Sequence, residues 1–462
     1  MTTAKTIHAV ALAFLVAGCA TTPNLPTYKA QLAADFANAS ATPAAPVAEF
    51  WRGFGDADLD ALVDQAVKAN ADLRIAGANL REARALANFA DAQSKPTIGT
   101  SADVARVRAR DSQGKAQTGN VFAAGFDVAW EMDLFGRIGG ERQVAVVQVL
   151  ANEALVRAAQ VSVASEVARN YFELRGFQEQ LHVAKASLET QRAALKLVEA
   201  RLAVGRGNAL DTERASALVQ TTAASIPSLE TALIRTRYRL AVLTGRLPTA
   251  LDTQLASQKP LPGMKAVALN SIGSPENLLR RRPDVAAAEQ QVAAAAARIG
   301  IARSELFPRL TLGGTLGLNA GRIGDLAKSA SFVYNLGASL LWTLLDFGRN
   351  RAQIAAASAR GEAAVIAYEK AVLSALEETE GALAAYTRTQ RQTESLFGAA
   401  QSASKAADIA RARFGVGISD FLAVLDAERE LLAARDRLAQ AQTAGATSLV
   451  AVYKSLAGGW KP

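Results

Sequence analysis

The sequence predicts a mainly helical protomer that also carries membrane-compatible β-strands, built as one unit written twice. Three observations carry this. A constant shift of 212 residues aligns the chain with itself, two stretches of nearly seventy residues lack any Pro, and each is preceded by segments of strict two-residue alternation. The shift pairs Asp72 with Asp284, Ala83 with Ala295, Pro96 with Pro308, Gly125 with Gly337 and Trp130 with Trp342. It also pairs Phe135-Gly136-Arg137 with Phe347-Gly348-Arg349, Arg201 with Arg413, Val204-Gly205 with Val416-Gly417, and Leu210 with Leu422. One register held over such a span means duplication of a whole structural unit, not a solenoid of short repeats.

Lys5 precedes a short apolar run, Ala9 to Ala17, too short to cross a bilayer of about 30 Å as a helix. The run ends in Val16-Ala17-Gly18-Cys19, the pattern of a bacterial lipoprotein signal, and Cys19 is the sole cysteine. Cleavage after residue 18 would leave Cys19 carrying diacylglycerol and an N-acyl chain. Ala20, rather than Asp, follows it, which favours the outer membrane. No later run of eighteen consecutive apolar residues is visible, so no further membrane helix is expected. Residues 19–55 are expected to form an extended, lipidated arm.

The first repeat, 56–244, opens with a helix over 56–94, with Asp56 or Asp58 as its N-cap and Pro96 as its stop. Strands are expected at 97–110 and 120–131. In the second, Phe122, Ala124, Phe126, Val128 and Trp130 share one face while Asp127 and Glu131 take the other. Arg106, Arg108 and Arg110 share a face of the first, which suits a lumen or an outer rim. A helix from Arg137 to about Ala203 follows, about 100 Å long at 1.5 Å per residue. Its seam (Val144, Val147, Ala151, Ala154, Ala158, Val161, Ser165, Ala168, Phe172) steps alternately by three and four, as in a coiled coil of small residues. Gly205-Arg206-Gly207-Asn208 turns the chain into a return helix ending near Leu243, in which Pro227 is expected to make a kink or an interruption.

A Pro- and Gly-rich linker, 245–283, holds a short helix beginning at Ser274-Pro275-Glu276. The second repeat, 284–456, runs through a helix, strands at 309–319 and 331–343, a long helix, and a return helix after Gly415-Val416-Gly417. Residues 457–462 form the tail.

Composition narrows the function. One Cys and two His (His8, His182) leave no set for a Cys- or His-based metal site, and neither a phosphate loop nor a nucleophile elbow is present. Neither catalytic residues nor a cofactor is expected. The net charge of +8 is scattered along helical faces rather than gathered, which argues against nucleic acid. Adjacent acids such as Glu377 and Glu378 point to different helix faces and do not form a catalytic dyad. Four strands cannot close a barrel, and an open edge in lipid is untenable. The chain must therefore oligomerise: two copies would supply eight strands, three would supply twelve.

Four motifs resemble the outer-membrane factor family, the TolC- and OprM-like duct lipoproteins of tripartite efflux and secretion systems. They are Leu278-Leu279-Arg280-Arg281-Arg282-Pro283-Asp284-Val285; Phe50-Trp51-Arg52-Gly53-Phe54-Gly55-Asp56 with Asn70-Ala71-Asp72-Leu73; Arg413-Phe414-Gly415-Val416-Gly417 with Leu425-Asp426-Ala427-Glu428-Arg429; and the ending Tyr453 to Trp460. The resemblance implies a homotrimer with a 12-stranded outer-membrane β-barrel continuous with a 12-helix periplasmic α-barrel, and an equatorial collar. It implies a periplasmic adaptor protein and an inner-membrane RND-type pump as partners, and small molecules as cargo. A type I protein-secretion duct and a poreless periplasmic scaffold are the alternatives. Val204, Gly205, Gly207, Val416 and Gly417 would form the adaptor-docking tips. Among relatives a carboxylate often lines the periplasmic gate; Ser419 stands at the aligned position here, beside Asp420. Arg413 and Asp426 complete the gate candidates, as a clamp pair.

Overall fold

The computed structural model describes residues 25, 32–38, 49–110, 112–261 and 274–457. Cys19, the signal segment 1–18, most of the arm and the Gly458-Gly459-Trp460 ending lie outside the described residues. The protein is mostly helical with one antiparallel sheet. Its elements are α1 (Ala57–Ala69), α2 (Ala71–Gln93), β1 (Thr97–Arg110), β2 (Ala116–Met132), α3 (Arg137–Ala203), α4 (Ala209–Leu243), α5 (Pro275–Arg281), α6 (Pro283–Ser304), β3 (Arg309–Ala320), β4 (Phe332–Leu341), α7 (Arg349–Gly415) and α8 (Phe421–Ser455). They group into two compact units that do not coincide with the two sequence repeats. Among the described residues, one holds 79–153 and 287–370; the other holds 49–78, 154–286 and 371–457 wherever these are described.

The first unit holds the sheet, in the order β1-β2-β3-β4. Duplication governs its register. Thr97 pairs with Ala129 and Arg106 with Asn120 in the first hairpin. Advancing both partners by 212 gives Arg309 with Leu341 and Leu318 with Phe332, which are the pairs of the second. The two tryptophans repeat as well. Trp130 Nε1 donates to the Ser94 carbonyl at 3.0 Å, and Trp342 Nε1 donates to the Leu306 carbonyl, its repeat mate, at 3.0 Å. The centre of the sheet needs Gly. A Cβ on Gly125 would lie 2.8 Å from the Leu316 carbonyl oxygen, and one on Gly317 would lie 2.6 Å from that of Ala124.

Two strand boundaries differ from the sequence expectation. β2 starts at Ala116 because it pairs with β1 as far as Arg110, and β4 stops at Leu341 because β3 starts opposite it, directly after Pro308.

The second unit packs around Phe50, Trp51, Leu59, Leu62, Val167, Tyr171, Phe172, Leu240, Leu449 and Tyr453. Phe50 stacks on Tyr453 with ring centres 4.8 Å apart, and Phe54 meets Phe172 edge-on at 4.8 Å. The single helix expected over 56–94 is broken at Asn70. Asp56 caps α1 by accepting from the backbone of Asp58 and Leu59. Asn70 restarts the chain: its Oδ1 accepts from Asp72 and Leu73, and its Nδ2 donates to the Leu243 carbonyl at 3.0 Å. A buried side chain that caps one helix and anchors another can offset the lost helical bonds.

Pro227 does not interrupt α4, which is continuous over Ala209–Leu243. Neighbouring hydroxyls take up backbone carbonyls there, with Ser225 on Thr222 and Thr231 on Pro227, both at 2.8 Å.

The small-residue seam of α3 is buried at Val147, Ala151, Ala154, Val161, Ser165, Ala168 and Phe172. Its Ala and Val content has a second effect. By length and composition alone, part of α3 is apolar enough to cross a membrane. Small apolar side chains raise hydropathy while serving close helix packing.

Candidate functional site

Two surfaces stand out: the faces of the sheet in the first unit, and a pair of helical turns in the second.

Residues directly opposite in an antiparallel pair share a face. Registers therefore assign every strand residue to a side. One face carries Ile98, Thr100, Ala102 and Val104 of β1, Phe122, Phe126, Val128 and Trp130 of β2, Leu312, Leu316 and Leu318 of β3, and Phe332, Tyr334, Leu336 and Leu340 of β4. The other carries Ser101, Asp103, Asp127, Glu131, Thr311, Thr315, Asn319, Asn335 and Ser339. The apolar side is bare, with Leu336 86% and Ile98 73% exposed. β1 and β4 are each paired along one edge only. An apolar face, a polar face and two free edges are what a segment of a membrane barrel requires. Arg106, Arg108 and Arg110 continue the row of Ile98 and Val104, so they lie on the apolar side and not with the polar, lumen-type residues.

The turns repeat each other atom for atom. After α3, Gly205 N–H donates to the Leu202 carbonyl at 2.9 Å and Arg206 N–H to that of Arg201 at 2.8 Å. After α7, Gly417 N–H donates to Phe414 at 3.1 Å and Ile418 N–H to Arg413 at 2.9 Å. This is the Schellman stop, with φ of +70° at Gly205 and +78° at Gly417. The next helix is capped by repeat mates. Asn208 Oδ1 accepts from Leu210, and Asp420 Oδ1 accepts from Ala423 at 3.1 Å. Gly207 sits tight against the preceding helix, where a Cβ would come within 2.6 Å of the Leu202 nitrogen.

Val204, Val416 and Ile418 project as an apolar cap, 69%, 72% and 67% exposed. Beneath them Val198, Leu218, Phe414, Phe421, Val424 and Leu425 form a small core.

Of the gate candidates, Asp420 is the α8 cap, and Ser419 Oγ is enclosed without a hydrogen-bond partner. Arg413 and Asp426 are exposed and form no ion pair with each other among the described residues. Nearby, Arg411 Nε meets Glu428 Oε1 at 2.5 Å, with the Glu428 side chain only 5% exposed. A further contact joins the two hairpins. Arg201 lies over the Phe414 ring, 4.2 Å from its centre, and its guanidinium reaches the Phe414 carbonyl at 3.3 Å. In the sequence Arg201 and Arg413 look equivalent; among the described residues Arg201 alone finds an aromatic face.

Two buried arginines hold the second unit together. Arg175, fully buried, donates to Asp58 at 3.0 Å, to Gln178 and to the Ser257 carbonyl, and Tyr171 donates to Asp56 at 2.5 Å. Burial, and then the Asp56 acceptor, hold the Tyr171 phenol well above its usual pKa. Arg282 forks onto Asp284 at 3.0 and 2.7 Å, meets Glu378 at 2.7 Å and reaches the Ser455 carbonyl at 3.2 Å. Glu378 is therefore a structural partner, not a merely solvated charge. The Arg-Pro-Asp motif is a clamp between α6, α7 and the end of α8.

A two-faced strand set with free edges, joined in one chain to paired helical hairpins, defines an outer-membrane duct subunit. The comparisons agree. The outer membrane efflux protein profile matches residues 62–246 and 274–458, one match per repeat, and the chain belongs to that family. It is similar to the pyoverdine export outer membrane protein OpmQ of Pseudomonas aeruginosa, with 31% identity over 99% of this chain and 97% of that protein. It is also similar to the toluene efflux pump outer membrane protein TtgI of Pseudomonas putida, with 31% identity over 88% of this chain and 86% of the relative. Among solved structures, the outer-membrane channel OprN superposes with a TM-score of 0.90 at 37% identity, covering 96% of this chain and 100% of that one. The open state of the Neisseria gonorrhoeae MtrE channel does so with 0.83 at 27%, covering 95% and 98%. This protein is an efflux exit duct of the bacterial outer membrane, not an enzyme.

Proposed function

We propose that three copies assemble into the exit duct of a tripartite small-molecule efflux pump, with twelve strands closing a barrel and the helices extending it into the periplasm. The observation that carries this is the sheet: an apolar face, a polar face and unpaired edges on β1 and β4. Duplication supplies the register of the closure. Transposing the central β2–β3 pair, Gly125 with Gly317, by one repeat places Gly337 of one copy opposite Ala105 of the next.

A chain carrying both Gly337→Cys and Ala105→Cys, treated in outer membranes with a short thiol crosslinker, is expected to give a ladder ending at three chains. A ladder ending at two, or no ladder beside a conducting wild type, rejects this closure.

The exposed tips around Val204-Gly205 and Val416-Gly417 are the docking surface for a periplasmic adaptor, behind which an RND-type inner-membrane pump selects cargo. Relatives are named for pyoverdine export, toluene efflux and cation efflux, a breadth that suits a duct leaving the choice to its pump.

Cys19 carries the lipid. Cys19→Ser is expected to lose acyl labelling while trimers still insert, since twelve strands bury far more apolar surface than one acylated terminus. Undiminished labelling would refute the anchor.

The second turn lines the periplasmic mouth, where any acid becomes a ring of three like charges that favours cations. Asp420→Asn keeps the capping oxygen and removes the charge; Asp426→Asn removes a charge that caps nothing. Either is expected to weaken cation preference and divalent-cation block in a planar bilayer. Wild-type selectivity in both variants would exclude these acids from the gate.

A further inference from the structure

The outward row of β1 changes character along its length. Ile98, Thr100, Ala102 and Val104 are followed on the same face by Arg106, Arg108 and Arg110. The apolar end adjoins α2; the basic end adjoins the β1–β2 hairpin, away from the helices. Three arginines therefore stand in one file, their backbone positions about 7 Å apart, at the far margin of the apolar belt.

The fold itself does not ask for them. Their repeat mates on β3 are Leu318 for Arg106 and Ala320 for Arg108, and the same strand geometry forms there with an apolar row. Nor, among the described residues, do their neighbours neutralise them. Arg106 faces Asn120 and Arg108 faces Thr118 across the hairpin, both uncharged hydrogen-bonding groups. Arg110 is engaged by the hairpin, donating to the Gly114 carbonyl at 2.8 Å. Among the described residues neither Arg106 nor Arg108 has a carboxylate partner, and Asp103 and Asp127 lie on the opposite face. Like charges two residues apart on one face repel, and an anion seated between them reverses the sign of that interaction. A planar guanidinium matches phosphate oxygens two at a time.

We propose that Arg106 and Arg108, assisted by Asn120 and Thr118, bind the phosphate groups of outer-leaflet glycolipid and so fix the depth and the lipid surround of the barrel. This rests on the reading of the apolar face as lipid-facing. Position decides for a lipid over a soluble anion: the file continues the lipid-facing row rather than the polar one.

The test uses the full chain in nanodiscs of zwitterionic phosphatidylcholine, with energy transfer from the protein's tryptophans to dansyl-labelled lipopolysaccharide as the readout. One arm adds the lipopolysaccharide with its lipid A phosphates, and a second adds the same glycolipid after phosphatase treatment. A third adds inorganic phosphate as competitor. The phosphorylated lipid is expected to bind, and Arg106→Gln with Arg108→Gln to weaken it about ten-fold. Arg106→Lys with Arg108→Lys, which keeps the charge but loses the fork, should bind between wild type and the Gln variant. Equal binding by the Gln variant, equal binding of the dephosphorylated lipid, or displacement by matched inorganic phosphate would each overturn the proposal. If the Gln variant does not insert, the phosphatase arm on the wild type still decides. Single-channel conductance is measured on the same preparations. A wild type that binds lipid but conducts nothing contradicts the duct, whereas one that conducts and ignores lipid phosphate contradicts only this site.

Discussion

A chain bearing Gly417→Leu or Gly205→Leu is expected to reach the outer membrane as trimer in normal amount and to export nothing. Both glycines sit at φ near +70 to +80°, where a side chain is strained by about 1–2 kcal/mol. That sum is small beside the burial that holds the hairpins together, so assembly survives. Space is not the obstacle, since a Cβ at either position meets nothing within 4 Å. What changes is the surface. The Schellman turn holds Val204 and Val416 exposed, and a Leu at the glycine displaces the turn and covers the ground a partner helix would occupy. The measurement is the minimum inhibitory concentration of a pump substrate in a strain lacking its own duct, alongside trimer abundance on unheated gels. Full resistance from both variants would remove the tips from the docking surface. Loss of trimer would show instead that the turns are needed for folding. Gly417→Ala, with the smaller added group, is expected to fall between wild type and Leu.

The sequence made much of this legible because duplication constrains it twice. A single shift of 212 aligned the strands, and the same shift relates the hairpin registers, the two Trp anchors, the two Schellman turns and the two caps. Alternation separated the two faces of β2, β3 and β4, since a period of two survives any twist; the side taken by the β1 arginines came only from the register.

What stayed hidden depends on partners far along the chain. The break at Asn70 looks helical locally; it is set by the Leu243 carbonyl, which no periodicity announces. Arg201 and Arg413 are repeat mates with opposite fates, because only the second repeat places a Phe where the first hairpin can lay a guanidinium. Glu428 reads as one more exposed acid of a charged helix until Arg411 is found seventeen residues upstream, across the turn. Arg175 gave no signal at all. Its partners come from α1, from its own helix and from the stretch after α4, and only their convergence makes a buried charge tolerable.

The Arg282 clamp should give the largest loss of stability. Its guanidinium is almost wholly buried and joins Asp284, Glu378 and the Ser455 carbonyl, tying the start of α6 to α7 and to the end of α8. Arg282→Ala removes the cation and leaves the Ser455 carbonyl and two carboxylates without it. Removing one partner of a buried pair costs about 3–5 kcal/mol, and the value here belongs at the lower end, because Asp284 and Glu378 still see water. Arg282→Lys keeps the charge but cannot fork onto Asp284 while reaching the other two acceptors, so an intermediate loss is expected. Thermal unfolding of the purified protein and trypsin susceptibility near α5 would record both. Acid reports on the same site. Burial alone would raise the Asp284 carboxyl, but the Arg282 fork outweighs it and holds the group below its usual range. A carboxylate whose folded pKa is depressed contributes stability that is complete above its unfolded pKa of about 3.9 and disappears as pH falls through the lower folded value. Asp284→Asn should therefore unfold below wild type at neutral pH, and the gap should close as pH is brought below 4. A gap that persists unchanged at low pH would mean that the asparagine fails through packing, and that the ion pair contributes little. A neutral Arg282→Ala would show that the motif is not a structural clamp.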